Sequence, residues 1–319
     1  MKALVYRKFG PPEVLEWVDG WPEPQTSPHH VLVRVQAGGL NPKDVLLRKG
    51  KFSRTLARDP LPRVSGLDMA GEIVAVGPSV TGFSAGDKVF GMTNRFSGGV
   101  HAELALLHET EICVAPKTLS LVEASAVPLA AQTALQALRD YCDIRNGQAL
   151  LINGASGGVG HFAVQIGKLS GAEVHAVCGP GNIAFVKSLG ADRTYSYRDQ
   201  PASSIDRSFD AVFDVFGKQT RRAFSRQLGK HGIYVSTVPK RETFLGEALA
   251  RIGLSGKSRL VLVRSDSKDL QLLREWIDAD VLKPFLEKTY PVEQAADAHR
   301  HIESRHTVGK IAIRIGDSR

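Results

Sequence analysis

The chain has 319 residues, more than one hydrophobic core usually serves, so two domains are expected. Apolar residues make up 43% of it and charged residues 23%, the balance of a globular enzyme, and no run approaches the ~20 apolar residues that span a bilayer. Lys and Arg outnumber Asp and Glu by 41 to 33, giving +8, but the basic residues are dispersed and aromatics are only 7%, which argues against a nucleic-acid partner and for a solvated basic surface.

Met1-Lys-Ala-Leu-Val-Tyr6 reads as a strand and lacks the apolar stretch of a signal peptide, so a cytoplasmic location is expected. Val31-Leu-Val-Arg-Val-Gln-Ala37 alternates with period two, and Gly71-Glu-Ile-Val-Ala-Val-Gly77 is β-rich and closed by Gly-Pro. With glycines punctuating the turns around Asp87-Lys-Val-Phe90, these runs predict a compact β-barrel-like domain over roughly residues 1–118. The period then changes. Ser120, with Glu123 three residues on, fits a helix start, and an Ala-rich helix follows from Leu129 to Arg139.

From Gln148 onward strands and helices alternate. Strands are expected at Ala149–Ile152, Glu173–Val177, Ser208–Asp214, Gly232–Ser236 and Arg259–Val263, with helices at Val159–Leu169, Ile183–Leu189, Thr220–Leu228 and Lys268–Ala279. Such βαβ alternation implies a parallel sheet with helices on both faces. The tail, Lys310-Ile-Ala-Ile-Arg-Ile315, returns to strict alternation and is expected to pair with the first domain. Cys113, Cys142 and Cys178 are widely spaced and odd in number, so reduced, buried thiols are expected rather than a disulfide framework.

The strongest motif is Asn153-Gly-Ala-Ser-Gly-Gly-Val-Gly160, directly after a predicted strand and opening a helix. Gly154, Gly157 and Gly160 fall three apart, giving G-x-x-G-x-x-G. Such glycines let the backbone approach a pyrophosphate and let the helix pack on the strand, while the helix N-terminus stabilises the phosphates. An NAD site usually carries an acidic residue about 20 positions on. Here the end of the second strand reads Cys178-Gly-Pro-Gly-Asn182, and Glu173 is at the opposite end of that strand. A 2′-phosphate meets no like charge there, so NADPH is expected in preference to NADH.

This turn, with Phe185-Val-Lys-Ser-Leu-Gly-Ala-Asp192, resembles the zinc-lacking quinone oxidoreductase branch of the medium-chain dehydrogenase/reductase superfamily. Asn41-Pro-Lys-Asp44 with Arg48-Lys-Gly50, Gly66-Leu-Asp-Met-Ala-Gly71, Gly86-Asp-Lys-Val89, Pro128-Leu-Ala-Ala-Gln-Thr133 and His306-Thr-Val-Gly-Lys310 match it in order, over nearly the whole chain. Cys178-Gly-x-x-Asn182 is most similar to chloroplast-envelope-type quinone oxidoreductases and ripening-fruit enone reductases. The resemblance implies an α/β fold, a Rossmann doubly wound parallel sheet plus a GroES-like β-barrel catalytic domain. The catalytic domain would be residues 1–120, completed by 283–319, and the NADP(H)-binding domain residues 121–282.

The resemblance also assigns roles. Ser156, Gly157, Gly158 and Val159 would hold the pyrophosphate, with Tyr197 near the adenosine 2′-phosphate. Gly154, Gly160, Cys178, Gly179 and Asn182 would join the cofactor contacts. Val215, Phe216, Thr237 and Val238 would line the nicotinamide side, Asn41 and Thr133 would sit near its ring, and Lys310 would join the cofactor contacts. A homodimer is implied as well. Gly181 stands where relatives often carry Arg, and Leu46 where some quinone reductases carry Tyr.

Zinc dehydrogenases of this superfamily place Cys and His where this chain reads Asn41-Pro-Lys-Asp44 and Gly66-Leu-Asp68, so no zinc is expected. His29, His30, His299 and His301 read as surface histidines. Without a Lewis acid an isolated ketone is hard to polarise, whereas an enone or quinone delocalises the charge that hydride brings. The chain would then reduce a small-molecule quinone or conjugated enone with NADPH. Asn41, Lys43 and Thr133 are the candidate catalytic residues, Asn41 and Lys43 as donors to the developing oxyanion. Asp44 and Asp68 are expected to bond loop N–H groups. Two other functions fit the glycine motif, an enoyl-thioester reductase and a non-catalytic cofactor-binding relative of crystallin-like or RNA-associated kind.

Overall fold

The computed structural model describes residues 1–228, 231–239 and 257–316. Its strands, in chain order, are β1 (Ala3–Tyr6), β2 (Leu15–Val18), β3 (His30–Gly39), β4 (Arg63–Val64), β5 (Asp68–Val76), β6 (Lys88–Met92), β7 (Leu104–His108), β8 (Ile112–Val114), β9 (Ala149–Asn153), β10 (Glu173–Cys178), β11 (Arg193–Ser196), β12 (Ala211–Asp214), β13 (Ile233–Ser236), β14 (Ser258–Leu260), β15 (Leu286–Pro291) and β16 (Lys310–Arg314). The helices used below are α1 (Pro42–Arg48), α2 (Leu121–Ser125), α3 (Pro128–Gln136), α4 (Gly160–Leu169), α5 (Ile183–Ser188), α6 (Ser225–Leu228), α7 (Ser267–Asp278) and α8 (Ala295–Ser304).

The chain forms two compact units, residues 1–132 with 264–319, and residues 133–263. In the first, β3 is the spine. It pairs antiparallel with β5 along one edge and with β7 and then β16 along the other, while β6 and β8 extend the sheet beyond β5. The alternation of β3 sends Val31, Val33 and Val35 inward against Met69, Ile73, Val89 and Leu107, and leaves Arg34 exposed. The tail strand β16 closes onto Ala37–Gly39, as its period suggested. Ser120 and Glu123 form the expected reciprocal cap of α2, with the Glu123 carboxylate 2.9 Å from the Ser120 N–H.

In the second unit every strand pairing is parallel, in the order β11-β10-β9-β12-β13-β14. Within the unit this is the 3-2-1-4-5-6 order of a doubly wound sheet. Its apolar strands are buried on both faces, as parallel strands must be, with Leu151, Val177, Val212 and Tyr234 in one cluster with Phe209 and Phe224.

Helix α7, which the sequence reading places in the nucleotide-binding half, belongs to the first unit. Its Asp278 carboxylate accepts the Lys117 N–H at 2.7 Å, and Ser265 before it exchanges hydrogen bonds with Asn94. These partners are more than 150 residues away along the chain, beyond the reach of local periodicity.

Candidate active site

The doubly wound order reverses between β9 and β12, and ligands of such sheets bind outside the carboxyl ends of the strands at that point. Every cofactor residue expected in the second unit, Thr133 apart, lies just past one of those ends or at the strand's last position. Gly154–Gly160 follow β9, Cys178 and Gly179 end and follow β10, and Tyr197 follows β11. Val215 and Phe216 follow β12, and Thr237 and Val238 follow β13. Parallel pairing makes this convergence unavoidable.

The three glycines of the turn do different work. Gly154 has φ +93°, a left-handed conformation that side chains resist. A Cβ on Gly160 would overlap the Gly154 carbonyl oxygen and come within 2.8 Å of the Ala155 backbone, so this glycine lets α4 sit tightly on the turn. Gly157 differs: a Cβ there would meet only the Gly154 oxygen, at 3.6 Å, and otherwise point into open space. That open space before α4 suits a pyrophosphate. Asn182 Nδ2 donates to Ser156 Oγ at 3.1 Å, tying the end of the β10 loop to the turn. Tyr197, 52% exposed, brings its hydroxyl to 3.5 Å from where a Gly179 Cβ would stand.

Asp214, which the sequence reading passes over, organises the centre. Fully buried at the end of β12, it accepts from Asn153 Nδ2 at 2.9 Å, the Gly217 N–H at 2.9 Å and the Tyr234 hydroxyl at 2.7 Å. One carboxylate thus fixes the turn carrying Val215 and Phe216. Burial and the Asp214 charge push the Tyr234 hydroxyl well above its ordinary value, so it remains a donor. The Thr237 hydroxyl donates to the Val215 carbonyl at 3.1 Å and joins the last two loops. Thr133 is buried on α3, also in the second unit.

The first unit contains a second polar cluster. Asn41 caps α1 and is almost wholly buried. Its Nδ2 donates to Asp68 Oδ2 at 2.9 Å and lies 3.5 Å from the Gly39 carbonyl, while its Oδ1 accepts from Lys310 Nζ at 2.6 Å. Lys310 also donates to the Leu40 carbonyl at 2.9 Å and lies 3.5 Å from Asp68. The ammonium expected among the cofactor contacts is therefore turned inward, and both sides of the Asn41 amide have internal partners. Asp68 accepts the Leu129 N–H at 2.9 Å, and Asp44 accepts the Asn41 N–H at 2.8 Å, the bonding foreseen for both. Lys43, partly exposed, instead holds its Nζ 4.2 Å from the centre of the Phe96 ring. Burial lowers its pKa, with Asp44 opposing.

His299 corrects an expectation. Rather than lying at the surface it is fully buried, because α8 turns Ala295, Ala298 and His299 inward as one stripe. Its Nδ1 accepts from Arg48 Nε at 3.4 Å, and Arg48, also fully buried, donates to the Gly10 carbonyl and pairs with Glu303. Burial chiefly, and then the Arg48 charge, lowers the His299 pKa to about 3, so it stays neutral. His301, half-buried, bonds the Tyr290 hydroxyl at 3.0 Å.

The cluster has a measurable titration. Burial pushes the Asp44 carboxyl up to about 7, with the Asn41 N–H opposing and the Asp68 charge adding. Between the unfolded value near 3.8 and about 7 the folded state holds a proton that the unfolded chain has released, so stability falls as pH rises through that window. Asp44→Asn keeps an acceptor for the Asn41 N–H and removes the titration. Between pH 5 and pH 8 the parent should lose about 2–4 kcal/mol relative to this variant in thermal unfolding; parallel stability profiles would contradict the assignment.

Residues 27–117 match the alcohol dehydrogenase GroES-like domain model, and residues 189–313 the model described as zinc-binding dehydrogenase. A chloroplast envelope quinone oxidoreductase homolog of Arabidopsis thaliana is 32% identical, with 98% of each chain covered. The NADPH-dependent alkenal/one oxidoreductase of the same plant is 29% identical over 98% of this chain and 79% of its own. The solved quinone oxidoreductase of Coxiella burnetii superposes with a TM-score of 0.90 at 30% identity, covering 99% of both chains. A GroES-like unit completed by its own C-terminal tail, a doubly wound sheet, and whole-length similarity place this chain in the medium-chain dehydrogenase/reductase superfamily.

Proposed function

We propose that this protein is an NADPH-dependent oxidoreductase that passes hydride to a quinone or to the conjugated C=C of an α,β-unsaturated carbonyl, without a metal. The observation that carries this is the open space over Gly157, in the turn after β9 at the strand-order reversal, where Asn182 of the β10 loop is tied to Ser156. Gly157, Gly158 and Val159 would hold the pyrophosphate at the start of α4. Tyr197 and the neutral Cys178–Asn182 loop would receive the adenosine 2′-phosphate, which supports NADPH over NADH. When bound, NADPH supplies the hydride. Relatives named as quinone and alkenal/one oxidoreductases support the acceptor class.

The donors at the positions where zinc enzymes hold their metal are already engaged: Asp44 by the Asn41 N–H, and Asp68 by Leu129, Asn41 and Lys310. An acceptor that delocalises its own negative charge suits such a site. With the Asn41 amide bonded internally, Lys43 is the better placed donor to the developing oxyanion, and its lowered pKa makes it the more willing one. The protein would work as a cytoplasmic homodimer, pairing through the outer strand β14, beyond which Leu262 is 68% exposed.

An acceptor panel tests this. Chelator-treated protein should oxidise NADPH with a quinone or a short enone, and show no oxidation of alcohols with NADP+. Activity with alcohols alone, or only after zinc is added, would refute it.

A further inference from the structure

Beside Asn41 the first unit carries a surface that no cofactor role accounts for. Lys43 and Leu46 lie three residues apart on one face of α1, and Leu46 is 39% exposed. Phe96, 40% exposed, takes the Lys43 ammonium over its ring and stands perpendicular to Phe52, 5.2 Å between centroids and 89° between planes. The result is a partly exposed apolar surface with one partly buried cation set against it. Partly exposed aromatic rings of this kind bind planar molecules and orient them by one polar contact.

This surface is bordered by an excess of positive charge. Residues 43–63 contain Lys43, Arg48, Lys49, Lys51, Arg54, Arg58 and Arg63, against only Asp44 and Asp59. Several of these cations have partners. Arg48 and Lys49 pair with Glu303, Arg63 bonds the Leu56 and Asp59 carbonyls, and Asp59 is taken by Arg95, next to Phe96. Lys51, Arg54 and Arg58 are exposed, and no ion pair among the described residues engages them. Three uncompensated cations in eight residues, on the segment that carries Phe52, are more than a neutral acceptor requires.

We propose that the acceptor is a planar quinone or enone bearing an anionic substituent, a carboxylate or sulfonate. Its ring packs against Leu46 and the part of Phe96 that Lys43 leaves uncovered, its carbonyl oxygen approaches Lys43, and its charge lies toward Lys51, Arg54 and Arg58. This rests on the reductase function proposed above and narrows it to a class of substrate.

Equilibrium binding tests the two separately. With the protein loaded with NADP+, which has no hydride to give, the Kd of naphthoquinone sulfonate measured by calorimetry should be about tenfold lower than that of unsubstituted naphthoquinone at an ionic strength of about 0.01 M, where screening reaches ~30 Å. Raising the salt to about 0.15 M should erase most of the difference by weakening the sulfonate alone. The combined variant Lys51→Gln, Arg54→Gln, Arg58→Gln should remove the discrimination. A control with equal net charge, Lys187→Gln, Arg226→Gln, Lys268→Gln, should retain it. Phe96→Ala should weaken both quinones about tenfold, as loss of a stacking surface does. Equal Kd values for the two quinones in the parent, or equal losses in the triple variant and its control, overturn the inference whatever the turnover. Discrimination in binding with no NADPH oxidation by either quinone would instead uphold this surface and refute the reductase reading.

Discussion

Replacing Gly157 with valine should abolish dinucleotide binding while leaving the fold intact, and replacing Gly160 with alanine should damage both. The contrast follows from what each added carbon meets. At Gly157 the side chain enters the space before α4, where the pyrophosphate would lie, and its Cβ meets nothing but the Gly154 oxygen at 3.6 Å. The NADPH Kd should rise at least about 100-fold, some 2.7 kcal/mol, with the melting temperature of the cofactor-free protein unchanged within error. At Gly160 the obstacle is backbone, the Gly154 carbonyl and Ala155, and neither can rotate away as a side chain would. That substitution should cost about 3 kcal/mol or more of stability, at the upper end for an overpacked core. Titration of NADPH by fluorescence, paired with thermal unfolding of each variant, separates the two effects. A Gly157→Val protein that binds NADPH like its parent would remove the turn from the cofactor site.

Lys310→Met should be the most destabilising single change in the first unit. The ammonium is buried with Asp68 3.5 Å away, and it bonds the Leu40 carbonyl and Asn41 Oδ1. Removing it leaves a buried carboxylate without its counter-charge, which costs about 3–5 kcal/mol. Burial already raises the Asp68 pKa against the pull of Lys310, so without the lysine that carboxyl should take up a proton more readily. The loss should therefore be larger at pH 8 than at pH 5. Adding Asp68→Asn removes the stranded charge, keeps an acceptor for the Leu129 N–H, and should recover more than half of the stability. A single variant as stable as the parent, or a double variant no better than the single, would mean that the pair is not coupled as the distances indicate. The same lysine orients the Asn41 amide, so Lys310→Arg should retain more activity than Lys310→Met.

Features with a local cause were legible in the sequence. The glycine turn showed itself because Gly154 and Gly160 answer to their immediate neighbours, and the strands around it because buried parallel strands are short apolar runs. The cap of α2 needed only Ser120 and Glu123. Even the return of β16 to the first sheet was visible in the alternation of its residue types, although Lys310, Ile311, Ala312 and Ile313 are all buried there. What stayed hidden depends on distant partners. Asn41 looked like a free donor because Asp68 and Lys310, which occupy its amide, are 27 and 269 residues away. Asp214 gave no signal beyond a carboxylate ending an apolar strand; its role appears only when β9, β13 and the 217 turn close around it. His299 was misplaced because a histidine among Ala295, Ala298 and Ile302 reads as polar by type and as core by position, and position prevailed. Helix α7 fell to the first unit through Asp278 and Ser265, whose partners no periodicity reveals.

In the proposed reaction hydride passes directly from the nicotinamide to a conjugated acceptor without metal assistance. Chelator-treated protein given NADPH deuterated at one face of C4, and a short enone, tests it most directly, with the product read by mass spectrometry and NMR. One of the two faces should deliver its deuterium to the β-carbon of the enone and show a primary isotope effect, with no dependence on added zinc. Product unlabelled from either face, or label transferred only when zinc is restored, would contradict the account.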